Sequence, residues 1–338
     1  MAKQQNFIKT MQNMYQVCCD FIRKHSFNQV LPNWLKKIIQ KACAVFFSVL
    51  VFLFFYYFLG SQIAEDIDVQ TQYLLPKKTT TKMETAHVMN FLLKREVDHK
   101  MWTPNLPALF PAYVLDNMPN FQIGIVDAVR DVCSVLRRLE GITATQYDTL
   151  QQAGTLLNYS PNVWLLSKKD TFNIAPSSNA QYRKAAQELK KFNEQADFTP
   201  QARHLPQFMA QMSRKLTQIV QKSEDYQQEH NTDILDFKSD DIFYHNCGYA
   251  FAMGQISRAL GADYKNEILR HNAYTDWTYL VSSLQKAAEF QPVVVRNGKP
   301  KDLLTPNHLM IQNFYLMRAL AAIERIRTAL ATGAVDAN

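Results

Sequence analysis

The feature that most constrains this chain is an uncharged apolar run from Ala42 to Leu59, with the sequence ACAVFFSVLVFLFFYYFL. At about 1.5 Å per residue, an α-helix of this run would be about 27 Å long. The hydrocarbon core of a bilayer is roughly 30 Å thick, and Gly60 and Ser61 extend the helix to that length. The run therefore predicts a transmembrane helix over residues 42–60.

Two other interpretations of the run are weaker. A helix in a protein core rarely combines six Phe and two Tyr with so few polar residues. A cleaved signal peptide would begin its apolar region earlier, and no clear A-x-A cleavage site follows this one. We interpret the run as an uncleaved signal-anchor whose membrane-embedded residues are Ala42, Val45, Phe46, Phe47, Val49, Leu50, Val51, Phe52, Leu53, Phe54, Phe55, Tyr56, Tyr57, Phe58 and Leu59.

The charges on either side of the run predict its orientation. Seven Lys or Arg residues and one Asp precede it, and the nearest basic residues are Lys36, Lys37 and Lys41. Acidic residues follow it at positions 65, 66 and 68. Because basic residues concentrate on the cytoplasmic side of membrane proteins, the N-terminus is expected in the cytoplasm and residues 61–338 outside it.

The basic net charge of the chain, +7, comes almost entirely from the segment before the anchor. Beyond the anchor, 30 basic and 29 acidic residues nearly cancel. A nucleic-acid-binding domain carries clustered Lys and Arg on its own surface, and no such cluster is seen here. The lipid bilayer is thus the predicted partner, and nucleic acid is excluded.

The anchor divides the chain into four segments. Residues 1–41 form the cytoplasmic segment, where apolar residues at helical spacing between Phe7 and His25 predict an amphipathic helix. This helix could be a simple extension of the anchor, lie on the inner leaflet, or pack on a partner helix. Residues 42–60 are the membrane helix and residues 61–82 a polar linker. Residues 83–338 are the large domain outside the cytoplasm.

Helical patterns dominate this large domain. Apolar periodicity and N-terminal capping signals predict helices near 84–97, 121–140, 146–158, 161–167, 179–195, 200–230, 240–260 and 306–331. The capping signals are Thr145 with Asp148, Ser160 before Pro161, Thr199 before Pro200, and Ser239 before two acids. Only residues 293–295, followed by Asn-Gly, resemble a strand and turn. The fold is expected to be all-α with at most one short β-ribbon.

Catalytic and metal-binding motifs are absent from the sequence. Glu84-x-x-His87 has the spacing of two metal ligands on one helix face, but a di-metal site needs a second copy. Asp240, Asp241 and His245 could form an acid–base cluster, although acids at a helix N-terminus are explained by the helix dipole alone. Nucleophile elbows and phosphate-binding glycine loops are missing. No catalytic, cofactor-binding or metal-binding residue and no cofactor are therefore predicted.

Two of the five cysteines, Cys133 and Cys247, lie in the large domain. If this domain is in an oxidising compartment, they could form a disulfide bond. Both also occur in apolar helical surroundings, where Cys is an ordinary small core residue. The sequence favours the second interpretation and leaves the first open.

Five segments of the chain carry a family resemblance. They are WTPNLPALFPAYVLDNMPNFQIGIVDAVRD (102–131), APSSNAQYRKAAQEL (175–189), DIFYHNCGYAFAM (241–253), PVVVRNG (292–298) and NHLMIQNFYLMRAL (307–320). In this order they resemble the domain of unknown function family 2333. The resemblance implies a bacterial inner-membrane protein with one membrane span and a periplasmic domain, and it implies no activity.

Two classes of function remain. The first is a non-enzymatic envelope protein whose helical periplasmic domain binds another envelope protein. The alternative is a membrane-tethered periplasmic enzyme or small-molecule sensor. A pocket lined by converging polar groups such as His245, Arg258 and Asn307 would favour the alternative. A broad exposed apolar patch would favour the interaction module.

Overall fold

The computed structural model describes residues 32–74, 83–164, 175–195, 201–230, 237–292, 295–296, 298 and 306–332. These residues form ten α-helices and no β-strand, which confirms the all-α prediction. The helices are α1 (Asn33–Ala64), α2 (Glu84–Lys94), α3 (Asn117–Leu136), α4 (Ala144–Leu157), α5 (Ser178–Glu194), α6 (Leu205–Glu229), α7 (Phe237–Asp263), α8 (Lys265–Arg270), α9 (Tyr274–Glu289) and α10 (His308–Thr332).

Three short segments complete the secondary structure. A π-helical turn, Arg95–His99, continues α2, and single 3₁₀ turns occupy Pro111–Val114 and Ala202–His204. The chain divides into two compact units, residues 1–59 and 60–338. The amphipathic segment predicted before residue 32 lies outside the described residues.

Several predicted helix starts are wrong in detail. The capping box at α4 is formed by Thr143 and Gln146, whose side chains each accept a hydrogen bond from the other's backbone N–H. Thr143 is therefore the cap residue, and Thr145 lies inside the helix, two residues after it. Similarly, α7 begins at Phe237, so Ser239 lies in its first turn and is not its cap. The predicted Thr199-Pro200 cap lies outside the described residues.

A helix predicted at 161–167 is not seen in residues 161–164, which form a turn. The hydroxyl of Ser178 accepts a hydrogen bond from Val163 N at 2.9 Å and lies 2.7 Å from the carbonyl oxygen of Ser160. Val163 N and the carbonyl oxygen of Ser160 therefore bond to the Ser178 side chain and not to backbone groups of a helix. Residues 165–167 lie outside the described part of the chain.

The predicted helix set omits α8 and α9. The sequence nevertheless carries the signal for α9, because Trp277, Leu280 and Leu284 recur at helical spacing and are buried.

The predicted β-ribbon is not formed as a strand in the described residues. A local backbone pairing remains, in which His308 N donates to Arg296 O at 2.9 Å. Val293, Val294 and Asn297 lie outside the described residues.

Helices α3 and α7 form the centre of the second unit. Along one side of this pair, α7 contacts α2, α2 contacts α5, and α5 contacts α4. Along the other side, α7 contacts α9, α9 contacts α10, and α10 contacts α6. One continuous hydrophobic core runs through both sides and contains residues from Val69 to Leu330.

The central pair approaches closely because each helix places a glycine at the crossing. A Cβ added to Gly248 would lie 1.9 Å from the carbonyl oxygen of Phe121. A Cβ added to Gly124 would lie 2.1 Å from the carbonyl oxygen of His245. Both obstacles are backbone atoms, which a rotamer change cannot move, so only glycine allows this helix separation.

Residues 65–74, which the sequence assigns to the linker, pack onto the helical domain. Val69 is buried in the main core, and the carbonyl oxygen of Asp68 accepts a hydrogen bond from Arg95 Nη2 at 2.6 Å. Further along, Tyr73 N donates to Gln255 Oε1 at 3.2 Å. This part of the chain therefore packs against α7 and does not extend away from the domain as a free linker.

We expect Gly248→Ala to lower the free energy of unfolding by about 1–3 kcal/mol or more, because the new methyl group overlaps the backbone of Phe121. The matched control is Gly254→Ala on the same helix, where the nearest atom to a new Cβ is 3.6 Å away. That substitution should stabilise the protein by up to about 1 kcal/mol, because Ala favours helix more than Gly. Urea unfolding of the detergent-solubilised chain measures both. Equal effects at the two positions would contradict the close helix crossing.

Candidate functional site

Helix α1 contains all the residues assigned to the membrane anchor. It is 32 residues long, so it measures about 48 Å and exceeds the predicted span at both ends. Among the described residues, α1 is the one helix long and apolar enough to cross a membrane. This is consistent with membrane anchoring, and a signal sequence near an N-terminus meets the same criteria of length and composition.

The charges assigned to topology lie in the first turns of α1. Lys37 and Lys41 are exposed, and Lys36 is partly buried. Because α1 begins at Asn33, these three residues are helical and continuous with the apolar run. Long Lys side chains at a helix end can extend toward lipid headgroups, which is the usual arrangement at the border of a membrane span.

Within the helical domain, a polar cluster lies beside the crossing of α3 and α7. His245 Nε2 of α7 is 3.1 Å from Asp127 Oδ2 of α3, and Arg130 Nη2 is 2.7 Å from Asp127 Oδ1. Burial favours a higher pKa for Asp127, but the hydrogen bond with His245 and the charge of Arg130 hold its pKa below the ordinary value. Asp127 is therefore an anion that ties α7 to α3.

A second carboxylate of this cluster behaves differently. Burial raises the pKa of Asp131, against the opposing charges of Lys215 and Arg130. Asp131 Oδ2 accepts a hydrogen bond from the Tyr249 hydroxyl at 3.3 Å, and Lys215 Nζ of α6 lies 3.5 Å from its Oδ1. The two carboxylates, one turn apart on α3, thus have pKa values shifted in opposite directions. Such a pair suits acid–base chemistry. Its hydrogen bonds and ion pairs also connect α3, α6 and α7, so it serves equally well as a structural link between these helices.

The predicted cluster of Asp240, Asp241 and His245 does not act as one group. His245 pairs with Asp127, while Asp241 Oδ1 accepts a hydrogen bond from Asn120 Nδ2 at 2.6 Å. Asp240 lies in the first turn of α7, where the helix dipole favours an acid. Sequence reasoning missed Asp127 because its partner is 118 positions away.

A buried ion pair occupies the π-helical turn after α2. Arg95 Nε is 2.9 Å from Glu96 Oε1, and both side chains are almost fully buried. The Arg95 guanidinium lies 4.4 Å from the centre of the Phe251 ring, and Gln122 Nε2 donates to Glu96 Oε2 at 3.1 Å. Burial raises the pKa of Glu96, and Arg95 and Gln122 only partly offset this effect. The sequence Lys-Arg-Glu-Val-Asp-His resembles an exposed helix end and gave no sign of this pair.

The Glu84-x-x-His87 pattern has a structural role. The carboxylate of Asp263, at the end of α7, accepts hydrogen bonds from Glu84 N at 2.8 Å and Thr85 N at 2.9 Å. His87 packs against the Tyr73 ring at 5.3 Å. In the described part of the chain, no three His, Cys, Asp or Glu side chains are grouped to hold a metal ion.

The two cysteines of the helical domain are separate, buried thiols. Cys133 Sγ is 3.6 Å from the carbonyl oxygen of Leu150, and Cys247 Sγ is 3.0 Å from that of Ala288. Burial raises the pKa of both thiols to about 12. They are therefore unreactive core residues, as the favoured interpretation predicted.

A groove of about 330 Å³ lies between α7 and α9. Its floor includes the indole ring of Trp277 beside Gly261, and the cationic side chains at its edge are Arg258 and Lys265. One Arg258 nitrogen, Nη1, donates to Gln72 Oε1 at 2.6 Å, so the segment after the anchor borders the same region. The groove combines an aromatic surface with positive charge.

The three residues expected to converge in a pocket do not do so. Arg258 lines the groove between α7 and α9, whereas His245 lies 13 positions earlier on α7, about 20 Å along the helix. Asn307 caps α10, where its Oδ1 accepts a hydrogen bond from Met310 N at 2.9 Å. The polar pocket that would have favoured an enzyme is thus not formed by these residues.

Asp263 should make the stability of the domain depend on pH. Burial, together with the nearby Glu84, raises its pKa from 3.8 to about 6, despite the hydrogen bonds from Thr85 and Glu84 that oppose the rise. Its stabilising contribution is therefore complete below about pH 4 and is lost as the pH rises through about 6. In thermal unfolding of the detergent-solubilised chain, the melting temperature of wild type relative to Asp263→Asn should rise between pH 7 and pH 5.

A second variant checks the cause of this effect. Thr85→Val removes a hydroxyl that donates to Asp263 Oδ2 at 2.6 Å and lowers its pKa. The pH range over which this variant loses the stabilising contribution of Asp263 should therefore be higher than in wild type. A difference between wild type and Asp263→Asn that stays constant from pH 7 to pH 5 would contradict the assigned protonation.

The family comparison agrees with the resemblance seen in the sequence. A family model described as "Uncharacterized protein conserved in bacteria" matches residues 58–224 and 209–333, from the end of the apolar run to just past the end of α10. Neither a curated protein nor a solved structure matches the chain. Because the matched residues make up most of the sequence, the chain belongs to the bacterial domain of unknown function family 2333.

Proposed function

We propose that this protein is a membrane-tethered interaction protein of the bacterial inner membrane, whose helical domain lies in the periplasm and binds another envelope protein. The tether is α1, with its apolar side chains exposed along its length. The orientation follows from Lys36, Lys37 and Lys41 before the apolar run and from the acids at positions 65, 66 and 68 after it.

The observation that carries the interaction role is an apolar stripe on the outer face of α10. Met310, Ile311, Phe314 and Met317 are exposed, and their spacing places them on one side of the helix. Phe314 and Met317 each expose more than half of their surface, at 55% and 53%. We call these four residues the α10 stripe.

The opposite face of α10 is already used by the fold. Leu309, Leu316, Ile323 and Ile326 are buried against the rest of the domain. The stripe is therefore not needed for the core, and large apolar residues that a fold leaves exposed together are typical of protein-binding surfaces. Methionine side chains adapt to differently shaped partners, which suits a docking surface. The partner chemistry that fits is an apolar helix face of a second envelope protein.

A second candidate function, small-molecule sensing, is favoured by the groove between α7 and α9. Arg258 and Lys265 would attract an anionic group, and Trp277 would contact an apolar or aromatic portion of the same molecule. The stripe on α10 is the stronger observation, because four large apolar side chains on one helix face remain exposed while the opposite face supplies the buried core residues.

The experiment is site-specific photo-cross-linking in the native membrane. A photoreactive amino acid at Phe314 should give a discrete adduct with an integral membrane or periplasmic protein, identified by mass spectrometry. The matched control is the same amino acid at Tyr147, an exposed position on α4, where that adduct should be absent. The substitution Met317→Ser should weaken the Phe314 adduct without lowering stability, because Met317 is exposed.

Three outcomes would contradict the proposal. The first is a cytoplasmic protein as the cross-linked partner, which would reverse the assigned side of the membrane. The second is an equal adduct from Tyr147, which would remove any special role for α10. The third is an adduct made solely of two copies of this chain, which would assign the stripe to self-association.

A further inference from the structure

The Pro-rich segment before α3 exposes a group of large apolar side chains. Leu109 is 78% exposed and Tyr113 is 56% exposed. The ring of Phe110 packs edge-on against Trp164, with ring centres 6.3 Å apart, and Trp164 is itself 43% exposed. We call Leu109, Phe110, Tyr113 and Trp164 the rim patch.

The rim patch has a defined shape, because its two chain segments are tied together. Asn105 Nδ2 donates to the carbonyl oxygen of Val163 at 2.8 Å, and Trp102 Nε1 donates to that of Pro161 at 3.1 Å. Asn105 and Trp102 are both buried. Tyr113 N also donates to Phe110 O at 3.0 Å within the 3₁₀ turn. The exposed rings thus rest on a rigid support.

The position of the patch follows from a contact with Gly60, the residue directly after the apolar run. A Cβ added to Gly60 would lie 2.3 Å from Cβ and 2.5 Å from Cγ of Pro111, so the proline ring touches the Gly60 backbone. Gly60 follows Leu59, the last residue of the run, and the next residue, Ser61, is buried. Phe110 and Tyr113 are one and two residues from Pro111, a chain distance of at most about 7 Å.

We propose that the rim patch inserts into the interfacial layer of the lipid bilayer that α1 crosses. The proposal rests on the membrane tether proposed above, since Gly60 then lies at the surface of the bilayer. Trp and Tyr concentrate at this depth in membrane proteins, where an apolar ring meets lipid and its polar atom meets headgroups. The patch supplies one Trp, Trp164, and one Tyr, Tyr113. It also contains Leu109 and Phe110 as apolar side chains.

The charges nearby specify which lipid chemistry fits. The patch itself contains no Lys or Arg. Asp116 follows Tyr113 by three residues, and the next residue, Asn117, donates from Nδ2 to Glu65 Oε1 at 3.3 Å. Anionic headgroups would be repelled by these acids. The contact is therefore insertion of apolar and aromatic rings into a zwitterionic interface, and it needs neither anionic lipid nor low salt.

Brominated lipids, which quench tryptophan fluorescence on contact with their acyl chains, test this insertion in the full-length protein. The chain carries Trp34, Trp102, Trp164 and Trp277, of which Trp102 and Trp277 are buried. The Trp34→Phe variant therefore leaves Trp164 as its one exposed tryptophan. In vesicles of brominated phosphatidylcholine this variant should lose part of its emission relative to unbrominated vesicles. The loss should vanish in Trp34→Phe/Trp164→Phe.

A second exposed position provides a matched control. Tyr274 on α9 is 56% exposed, as Tyr113 is. In the Trp34→Phe/Trp164→Phe background, Tyr274→Trp should not be quenched by the brominated lipid. Equal quenching at positions 274 and 164 would mean that the domain adheres to lipid without selectivity, and it would overturn the proposal.

The single variant Trp164→Phe separates this inference from the tether, because its exposed tryptophan is Trp34, before the apolar run. Quenching of Trp34 but not of Trp164 would overturn the rim contact and leave the tether intact. Quenching of neither, in protein that also fails to float with the vesicles, would overturn the tether and the rim contact together. Quenching of Trp164 solely in vesicles with added anionic lipid would overturn the zwitterionic assignment. Shielding of Trp164 from an aqueous quencher, without quenching by brominated lipid, would assign the patch to a second copy of the chain.

Discussion

Gly124 and Gly248 allow the backbones of α3 and α7 to meet, and the arrangement of the other helices depends on this contact. A methyl group on either glycine would overlap a backbone carbonyl of the opposite helix. Because α7 also contacts α2, α9, α10 and α6, a change in its distance from α3 would move both sides of the domain. The crossing therefore fixes the positions of the α10 stripe and the groove between α7 and α9, although neither contains a residue of the crossing.

Buried polar groups reinforce the same geometry. His245 bonds to Asp127 across the crossing, Asp263 holds the first turn of α2, and the Arg95–Glu96 pair fills the π-helical turn beneath residues 65–74. The first two ties join segments that are more than 100 residues apart in sequence, and Arg95 of the third also donates to the carbonyl oxygen of Asp68. A buried charge without its partner is costly, so these groups penalise other packings of the same helices more strongly than apolar contacts would. The described structure thus assigns them a role in specifying the fold.

Much of the fold is predictable from the sequence, because helical periodicity and composition are local signals. The apolar run and most helices were placed correctly, but the helix from Tyr274 to Glu289 was missed, the cap of α4 is Thr143 and not Thr145, and Ser239 lies inside the first turn of α7. The partners of Asp127 and Asp263 and the burial of the adjacent Arg95 and Glu96 were not predictable, because they depend on tertiary proximity that a single sequence does not contain. The same limit applies to the rim patch, whose position depends on the contact between Gly60 and Pro111.

We propose that α1 tethers the helical domain to the periplasmic face of the inner membrane. The most direct test is a pair of fusions after Asn338, one to a phosphatase that becomes active only in the periplasm and one to a fluorescent protein that matures only in the cytoplasm. We predict an active phosphatase and a dark fluorescent protein, because the basic residues lie before the apolar run. An inactive phosphatase with a bright fluorescent protein would place the domain in the cytoplasm and contradict the account.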